Sequence, residues 1–207
     1  LIERAERGDA AASADLDERM GGRLEFGTAG IRGVLAAGPQ RMNQLQVREV
    51  TAGLAAYLLA EVPDARTRGV VVGHDARRKS RQFAEETAAV LAAAGIAVWL
   101  ADDHWPTPVT AYAVRALDAA GGAMVTASHN PPEYNGYKVY WGNGAQIVPP
   151  HDTGIAKAID AVGPAKDVAL MNEEEARRKG LFHDVKDAVT RAYLDAILAL
   201  RPTKTTA

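Results

Sequence analysis

Gly69-Val70-Val71-Val72-Gly73-His74-Asp75-Ala76-Arg77-Arg78-Lys79-Ser80, with Ile96-Ala97-Val98-Trp99-Leu100 after it, decides the fold. The Gly69–Gly73 run is short and β-branched, the composition of a strand buried on both faces. Ser80 is placed to cap a helix whose Phe83, Thr87, Leu91 and Ala94 form one stripe, and Gly95 stops it. Ile96 to Leu100 is then a second strand. The pattern repeats: Pro106-Thr107-Pro108 starts a helix with Val109, Tyr112, Ala113, Ala116 and Leu117 inward, Gly121-Gly122 ends it, and Ala123-Met124-Val125-Thr126 is the next strand. Strands alternating with helices at this spacing predict a parallel sheet with right-handed crossovers.

Working outward, Leu24 to Thr28 reads as an earlier strand. Asn43 is set to cap a helix that buries Val47, Val50, Leu54 and Leu58, with Gln46 completing a capping box. On the other side, Tyr137, Val139 and Trp141 alternate with Lys138 and Tyr140, and Asn135-Gly136 reads as a tight turn that sends this strand back antiparallel. The expectation is a mixed sheet covered by helices. Further helices follow at 153–162 and 172–180, the latter with acids first, bases last and Gly180 as its stop. A last apolar stripe runs through Val185, Val189, Ala192, Tyr193, Ala196, Ile197 and Leu200.

Composition narrows the class. The 207 residues carry 24 basic and 26 acidic side chains, a net of −2, which argues against a nucleic-acid or membrane-surface partner. Apolar residues at 47% and charged residues at 24% are the proportions of a globular chain able to bury a core. The absence of cysteine excludes a disulfide framework, a thiolate metal site and a thiol nucleophile. There is neither an apolar run of membrane-spanning length nor a signal peptide, and a cytoplasmic location is the default expectation. The chain opens at Leu1 and closes with Thr203-Lys204-Thr205-Thr206-Ala207 directly after the last apolar stripe, too short a tail to cover it. It is therefore expected to be a piece of a larger protein.

The chemistry concentrates in Thr126-Ala127-Ser128-His129-Asn130-Pro131-Pro132-Glu133-Tyr134-Asn135-Gly136-Tyr137-Lys138. This stretch begins at the carboxyl end of a predicted parallel strand, where open α/β sheets place ligands. A serine held beside a lysine and a loop of backbone donors can form or receive a phosphate ester, because developing phosphoryl charge needs fixed positive partners. An ordinary polar connector is the competing reading and carries about equal weight on local chemistry alone. A hydrolase pair of Ser128 and His129 is discounted, since triads join separated segments and no Gly-x-Ser-x-Gly elbow surrounds Ser128.

Gly27-Thr28-Ala29-Gly30-Ile31-Arg32-Gly33 has three glycines that let backbone approach an anion, and Arg32 can give a phosphate two parallel hydrogen bonds. No Gly-Lys-Ser/Thr follows, so it is not a nucleotide P-loop, and alone it reads as a glycine-rich turn. In Gly73–Ser80, Asp75 is expected to hold backbone or Arg77 in a turn, a structural role. The five histidines (His74, His104, His129, His151 and His183) show no metal-ligand spacing. The Asp102-Asp103 pair and the tryptophans read as surface and packing residues.

Taken together, the Gly27–Gly33 segment, Gly73-x-Asp75-x-Arg77 and Thr126-Ala127-Ser128-His129-Asn130-Pro131 with Tyr134–Lys138 closely resemble the α-D-phosphohexomutases, the family of phosphoglucomutases and phosphomannomutases. The resemblance covers nearly the whole chain. Tyr137 to Trp141 and Asn143-Gly144-Ala145-Gln146-Ile147 look most like the branch that includes phosphopentomutases.

The resemblance implies an α/β fold, a three-layer α/β/α sandwich with a mixed, mostly parallel sheet. It implies a first domain over residues 1–184, with 185–207 as the opening helix of a truncated second domain. The implied activity is intramolecular phosphoryl transfer between C1 and C6 (or C5) of a sugar monophosphate, through a phosphoserine and a sugar bisphosphate intermediate. Ser128 is then the phosphoserine and, through its phosphate, a ligand of Mg²⁺. Arg32 and Lys138 match positions that hold phosphate and assist proton transfer, His129 and Asn130 orient the phosphoserine, and Thr28 faces it from the glycine loop. A sugar 1,6-bisphosphate is the implied activator.

The family's Asp-Gly-Asp-x-Asp-Arg magnesium loop and its later sugar- and phosphate-gripping loops do not occur here, and position 74 is histidine where many relatives have arginine. The implied partners are therefore a sugar monophosphate and C-terminal domains of the same protein, and the fragment alone is expected to be inactive. Two other classes compete: a stand-alone sugar-phosphate or anion-binding module, and a metal-dependent phosphatase, for which no grouped carboxylates are found.

Overall fold

Val70, Val71 and Val72 are fully buried at the centre of a six-stranded sheet. The computed structural model describes residues 1–185 and 187–201; the closing Thr203–Ala207 stretch lies outside the described residues. In chain order the elements are α1 (Ile2–Glu6), α2 (Ala10–Met20), β1 (Ile31–Val34), α3 (Gln44–Glu61), α4 (Ala65–Arg68), β2 (Val70–His74), α5 (Ser80–Ala93), β3 (Val98–Ala101) and α6 (Thr107–Ala116). They continue with β4 (Gly121–Val125), β5 (Tyr134–Trp141), α7 (His151–Asp160), a 3₁₀ turn (Ala165–Asp167), α8 (Glu173–Arg178), β6 (Phe182–Val185) and α9 (Asp187–Ala199). Among the described residues no helix is long and apolar enough to cross a membrane.

The strand order is β1-β5-β4-β2-β3-β6. β4, β2, β3 and β6 run parallel, whereas β5 is antiparallel to both β4 and β1, so the sheet is mixed and mostly parallel as expected. Side-chain alternation divides the core in two. Val70, Val72, Val98, Leu100, Val125, Tyr137 and Val139 face a layer supplied by α3, α5 and α7, through residues such as Leu54, Leu91 and Ile155. Val71, Ala101, Met124 and Tyr140 face Val109, Ala113 and Val114 of α6 and Val189 of α9. The architecture is a three-layer α/β/α sandwich.

Several local expectations are corrected. Leu24–Thr28 is not a strand: Gly27 and Gly30 bond to each other across a tight turn, and the first strand begins only at Ile31. Ser80 does not cap α5; Lys79 precedes the helix at φ +69° and the Ser80 hydroxyl is spent on Asp75 instead, at 2.6 Å. Helix α6 ends before Asp118 (φ +48°), and Ala116 is exposed while Val114 takes the inward place. Gly121 and Gly122 belong to β4, where a Cβ on Gly122 would stand 2.6 Å from the Val114 methyl; the glycine is there for helix–sheet packing, not for a helix stop. Asn135-Gly136 lies inside β5, opposite Gly33 and Arg32, because the reversal is made earlier by residues 126–133. Asn43 caps α3 through Leu45 N and Gln46 N, but the Gln46 amide turns to Glu49, leaving the capping box open.

Strand β6 was not expected. Phe182–Val185 pairs in parallel with β3, and α9 follows on the α6 side of the sheet, with Tyr193 edge-on to Tyr112 at 5.6 Å. Val185, read as the first member of the last helical stripe, is therefore a sheet residue, and the 184/185 division falls within β6. The rest of that stripe is mostly open: Ala192, Ala196, Ile197 and Leu200 are exposed.

Candidate active site

The order of the strands creates the site. From β2 the chain passes through α5 on one face to β3, then returns through α6 on the other face to β4, which lies on the opposite side of β2. The connections that leave β2 and β3 thus cover opposite faces, and the direction of strand addition reverses between β2 and β4. The crevice at this switch point, outside the strand carboxyl ends, is where open α/β sheets place their ligands. Both loops singled out by the sequence, Asp75–Lys79 after β2 and Thr126–Glu133 after β4, emerge there.

Ser128 stands at φ +58°, the left-handed region, at a cost of roughly 1–2 kcal/mol for a non-glycine residue. Its N–H donates to Thr126 Oγ1 at 2.9 Å, and Asn130 N donates to Ala127 O at 3.0 Å, closing a tight turn around it. Ala127 is buried beneath while Ser128 and His129 are exposed, so the hydroxyl is presented at the rim.

The loop is braced from β2. The Arg77 guanidinium donates to Pro131 O (2.9 Å) and Tyr134 O (3.2 Å) through Nη1, and to Ser128 O (2.9 Å) and Asn130 O (2.7 Å) through Nη2. Asp75 holds Arg77 in turn, through an ion pair at 3.3 Å and by accepting the Arg77 N–H at 3.0 Å. The buried Asn135 amide donates to Arg78 O and Ser80 Oγ, each at 2.9 Å, tying β5 to the same turn.

Arg32 on β1 donates to Asn130 Oδ1 at 2.7 Å, joining residues 98 positions apart in the chain. Lys138 is half-buried on β5; burial pulls its ammonium pKa below the ordinary lysine value, and the positive charge of Arg32 adds to the shift. Thr28 is exposed, with its carbonyl held by Gln146 Nε2 at 2.7 Å. The Gly27–Gly30 turn beneath it rests on β5, since Gly30 (φ +77°) has no room for a Cβ against the Tyr137 carbonyl. Ser128, His129, Asn130 and Arg32 are thus assembled at one loop, with Lys138 beside Arg32 and Thr28 on the adjoining turn.

This arrangement sets an exposed serine hydroxyl on a fixed turn, with the Arg32 guanidinium bound to Asn130 of that turn and the Lys138 ammonium in the field of Arg32, a set of groups able to hold a phosphate. The fit to a divalent cation is incomplete. Among the described residues no three His, Asp or Glu side chains converge to hold one, and Asp75 is committed to Arg77 and Ser80.

A family model described as phosphoglucomutase/phosphomannomutase, alpha/beta/alpha domain I, matches residues 23–166. The chain belongs to the phosphoglucomutase/phosphomannomutase family. The match takes in the glycine turn, the β2 loop and the Ser128 loop together. A phosphoribomutase of Saccharomyces cerevisiae is 47% identical over 189 residues, 88% of this chain and 30% of its own length. A phosphopentomutase of Mus musculus is 46% identical over 152 residues, 70% of this chain and 24% of its own length. A crystal structure assigned to a phosphomannomutase of Thermus thermophilus superposes with a TM-score of 0.70 at 32% identity, covering 86% of this chain and 36% of that one. The chain thus spans about a quarter to a third of the relatives it matches.

Sequence reasoning took Asp75 and Arg77 as parts of their own turn; the fold sends Arg77 to four carbonyls more than fifty residues away. Gln146, which pins the Thr28 carbonyl, was likewise not singled out for that task. The one signal for Arg77 was an Asp-x-Arg directly after a buried strand.

Proposed function

We propose that this chain is the phosphoserine-bearing first domain of a sugar-phosphate mutase, with Ser128 as the phosphorylated residue. The observation that carries the reading is the exposed Ser128, held in a left-handed turn at the sheet's switch point beside Arg32 and Asn130. Phosphoserine transfers its phosphoryl group to a hydroxyl of the bound sugar monophosphate: the Ser128 Oγ–P bond breaks, a sugar O–P bond forms, and the proton lost by the sugar hydroxyl ends on Ser128 Oγ. The bisphosphate then reorients, and its other phosphate returns to Ser128, so that phosphate exchanges position between C1 and C5 or C6.

Arg32 and Lys138 stabilise the transferred charge, and the lowered lysine pKa suits Lys138 to carry the proton. His129, Asn130 and Thr28 orient the phosphate. The names of the relatives favour a pentose phosphate such as ribose 5-phosphate. Mg²⁺ would screen the phosphate on Ser128, with its remaining ligands coming from outside these residues. A sugar bisphosphate would prime the serine, and the reaction would take place in the cytoplasm.

The test uses the full-length natural protein. Incubation with ribose 1,5-bisphosphate or glucose 1,6-bisphosphate is expected to place phosphate on the peptide 123–138, and Ser128→Ala to lower turnover at least about a thousandfold. Turnover by Ser128→Ala at the parent rate would overturn the reading. The 207-residue chain alone is expected to show no appreciable conversion of glucose 1-phosphate or ribose 1-phosphate; binding of these without turnover in the full-length protein would favour an anion-binding module instead.

A further inference from the structure

Five N–H groups leave a guanidinium, and the four on the terminal nitrogens of Arg77 are all hydrogen-bonded. Four point to the carbonyl oxygens of Ser128, Asn130, Pro131 and Tyr134, and Nε faces Asp75 Oδ2. The side chain is 17% exposed; its bonds to Tyr134 O and Asn130 O are partly buried, where they are stronger than in water, and those to Pro131 O and Ser128 O lie at the surface. No terminal N–H remains to reach into the crevice. Arg77 therefore has no free terminal donor pair for a substrate phosphate, and its effect falls on the loop.

That effect has a direction. The loop that reverses through left-handed Ser128 turns three carbonyls, those of Ser128, Asn130 and Pro131, to the Arg77 guanidinium, where the carbonyl of Tyr134 at the start of β5 joins them. Their partial negative charges, left unpaired, would repel a dianionic phosphate on Ser128 and would favour a rotated loop in which carbonyls face the crevice. We propose that Arg77 is a positioning residue for phosphoryl transfer: it gathers the carbonyl side of the Ser128 loop beneath the turn, so that the Ser128 hydroxyl faces the crevice, with Asp75 fixing the guanidinium. This role rests on the phosphoserine reading of Ser128. Lysine cannot replace it, because three N–H groups radiating from one nitrogen do not span four carbonyls and a carboxylate.

The experiment compares Arg77→Lys, Arg77→Ala and Asp75→Asn in the full-length natural protein. It reads three quantities: amide hydrogen exchange across residues 126–136, kcat and KM with a pentose phosphate, and melting temperature. Arg77→Lys is expected to raise exchange at the loop about tenfold or more and to lower kcat about a hundredfold with KM within about threefold, since a misplaced nucleophile loses rate rather than binding. For Arg77→Ala, millimolar guanidinium is expected to restore kcat at least about tenfold where ammonium does not, a response that loss of stability alone would not give.

Parent-like exchange and kcat in Arg77→Lys, or a loss confined to KM, would overturn the proposal. If Arg77→Ala does not fold, Asp75→Asn decides: faster exchange at the loop supports the brace and unchanged exchange removes it. A parent protein that carries no phosphate on Ser128 and turns over no sugar phosphate would sink the mutase reading, and with it the catalytic role. The exchange data would then still report separately whether Arg77 sets the loop.

Discussion

Two titratable side chains show how this fold uses burial. Tyr137 is fully enclosed, its hydroxyl 3.2 Å from Thr51 Oγ1, and burial pushes its pKa up to about 12. A phenol whose folded pKa lies above the unfolded value near 10 contributes stability that is complete below about pH 10 and is lost as pH rises toward 12. The chain is thus expected to lose about 2–3 kcal/mol over that window on this account, and Tyr137→Phe to flatten that slope in urea titrations at about pH 9 to 12. Lys138 has the opposite sign: burial lowers its pKa, so its charged form opposes folding and stability rises as pH climbs through its folded pKa. A phosphate on Ser128 would favour the ammonium again. The Lys138 pKa, followed by NMR of the side-chain amine, is expected to move upward on phosphorylation; an unchanged value would place Lys138 outside the phosphate's field.

At the scale of elements, α3 depends on both of its boundaries. Asn43 Oδ1 accepts from Leu45 N and Gln46 N, while its amide donates to Ala36 O, Gly38 O and Arg41 O. One side chain therefore starts the helix and ties down the loop before it. Asn43→Ala is expected to cost about 2–3 kcal/mol, above an ordinary cap, and Asn43→Asp about 1 kcal/mol less, because aspartate keeps the acceptor and loses the donors. Chemical denaturation would measure both. Further along α3, Gly53 lets α7 pack backbone to backbone: a Cβ there would lie 2.6 Å from Ile159 N. Gly53→Ala should destabilise by about 1–3 kcal/mol despite alanine's higher helix propensity. The Asn43 cap was legible from sequence because a cap is local. The Gly53 contact was not, because its reason is another helix about a hundred residues later.

On the scale of the molecule, the sheet is sheltered by α3, α5 and α7 on one face and by α6 and α9 on the other. Helix α9 uses Val189 and Tyr193 for that purpose and leaves Leu194, Ile197 and Leu198 exposed. Apolar groups clustered in this way favour association. The 207-residue chain is expected to show an apparent mass that rises with concentration in light scattering, and Leu194→Lys with Leu198→Lys to suppress the rise without altering the melting temperature by more than a few degrees. A concentration-independent monomer before substitution would refute this.

The sequence alone was enough to establish the alternation of strands and helices, the antiparallel return through Tyr137–Trp141 and the Ser128 loop, because these rest on local periodicity and on residue types that chemistry requires. It also exposed the family through Ser128, Arg32 and Lys138, although they lie on three segments. Tertiary structure decided what depended on meeting a distant partner. Gly122 and Gly136 are strand residues by pairing with Val71 and Arg32, and glycines because a side chain and two carbonyls occupy the space of a Cβ. Phe182–Val185 is a strand because β3 offered an unpaired edge to His183 and Asp184, residues with little tendency of their own to form one. Arg77 became the brace of the Ser128 loop because β2 and β4 are neighbours in the sheet, so side-by-side strand ends bring residues 77 and 128 within a hydrogen bond of each other.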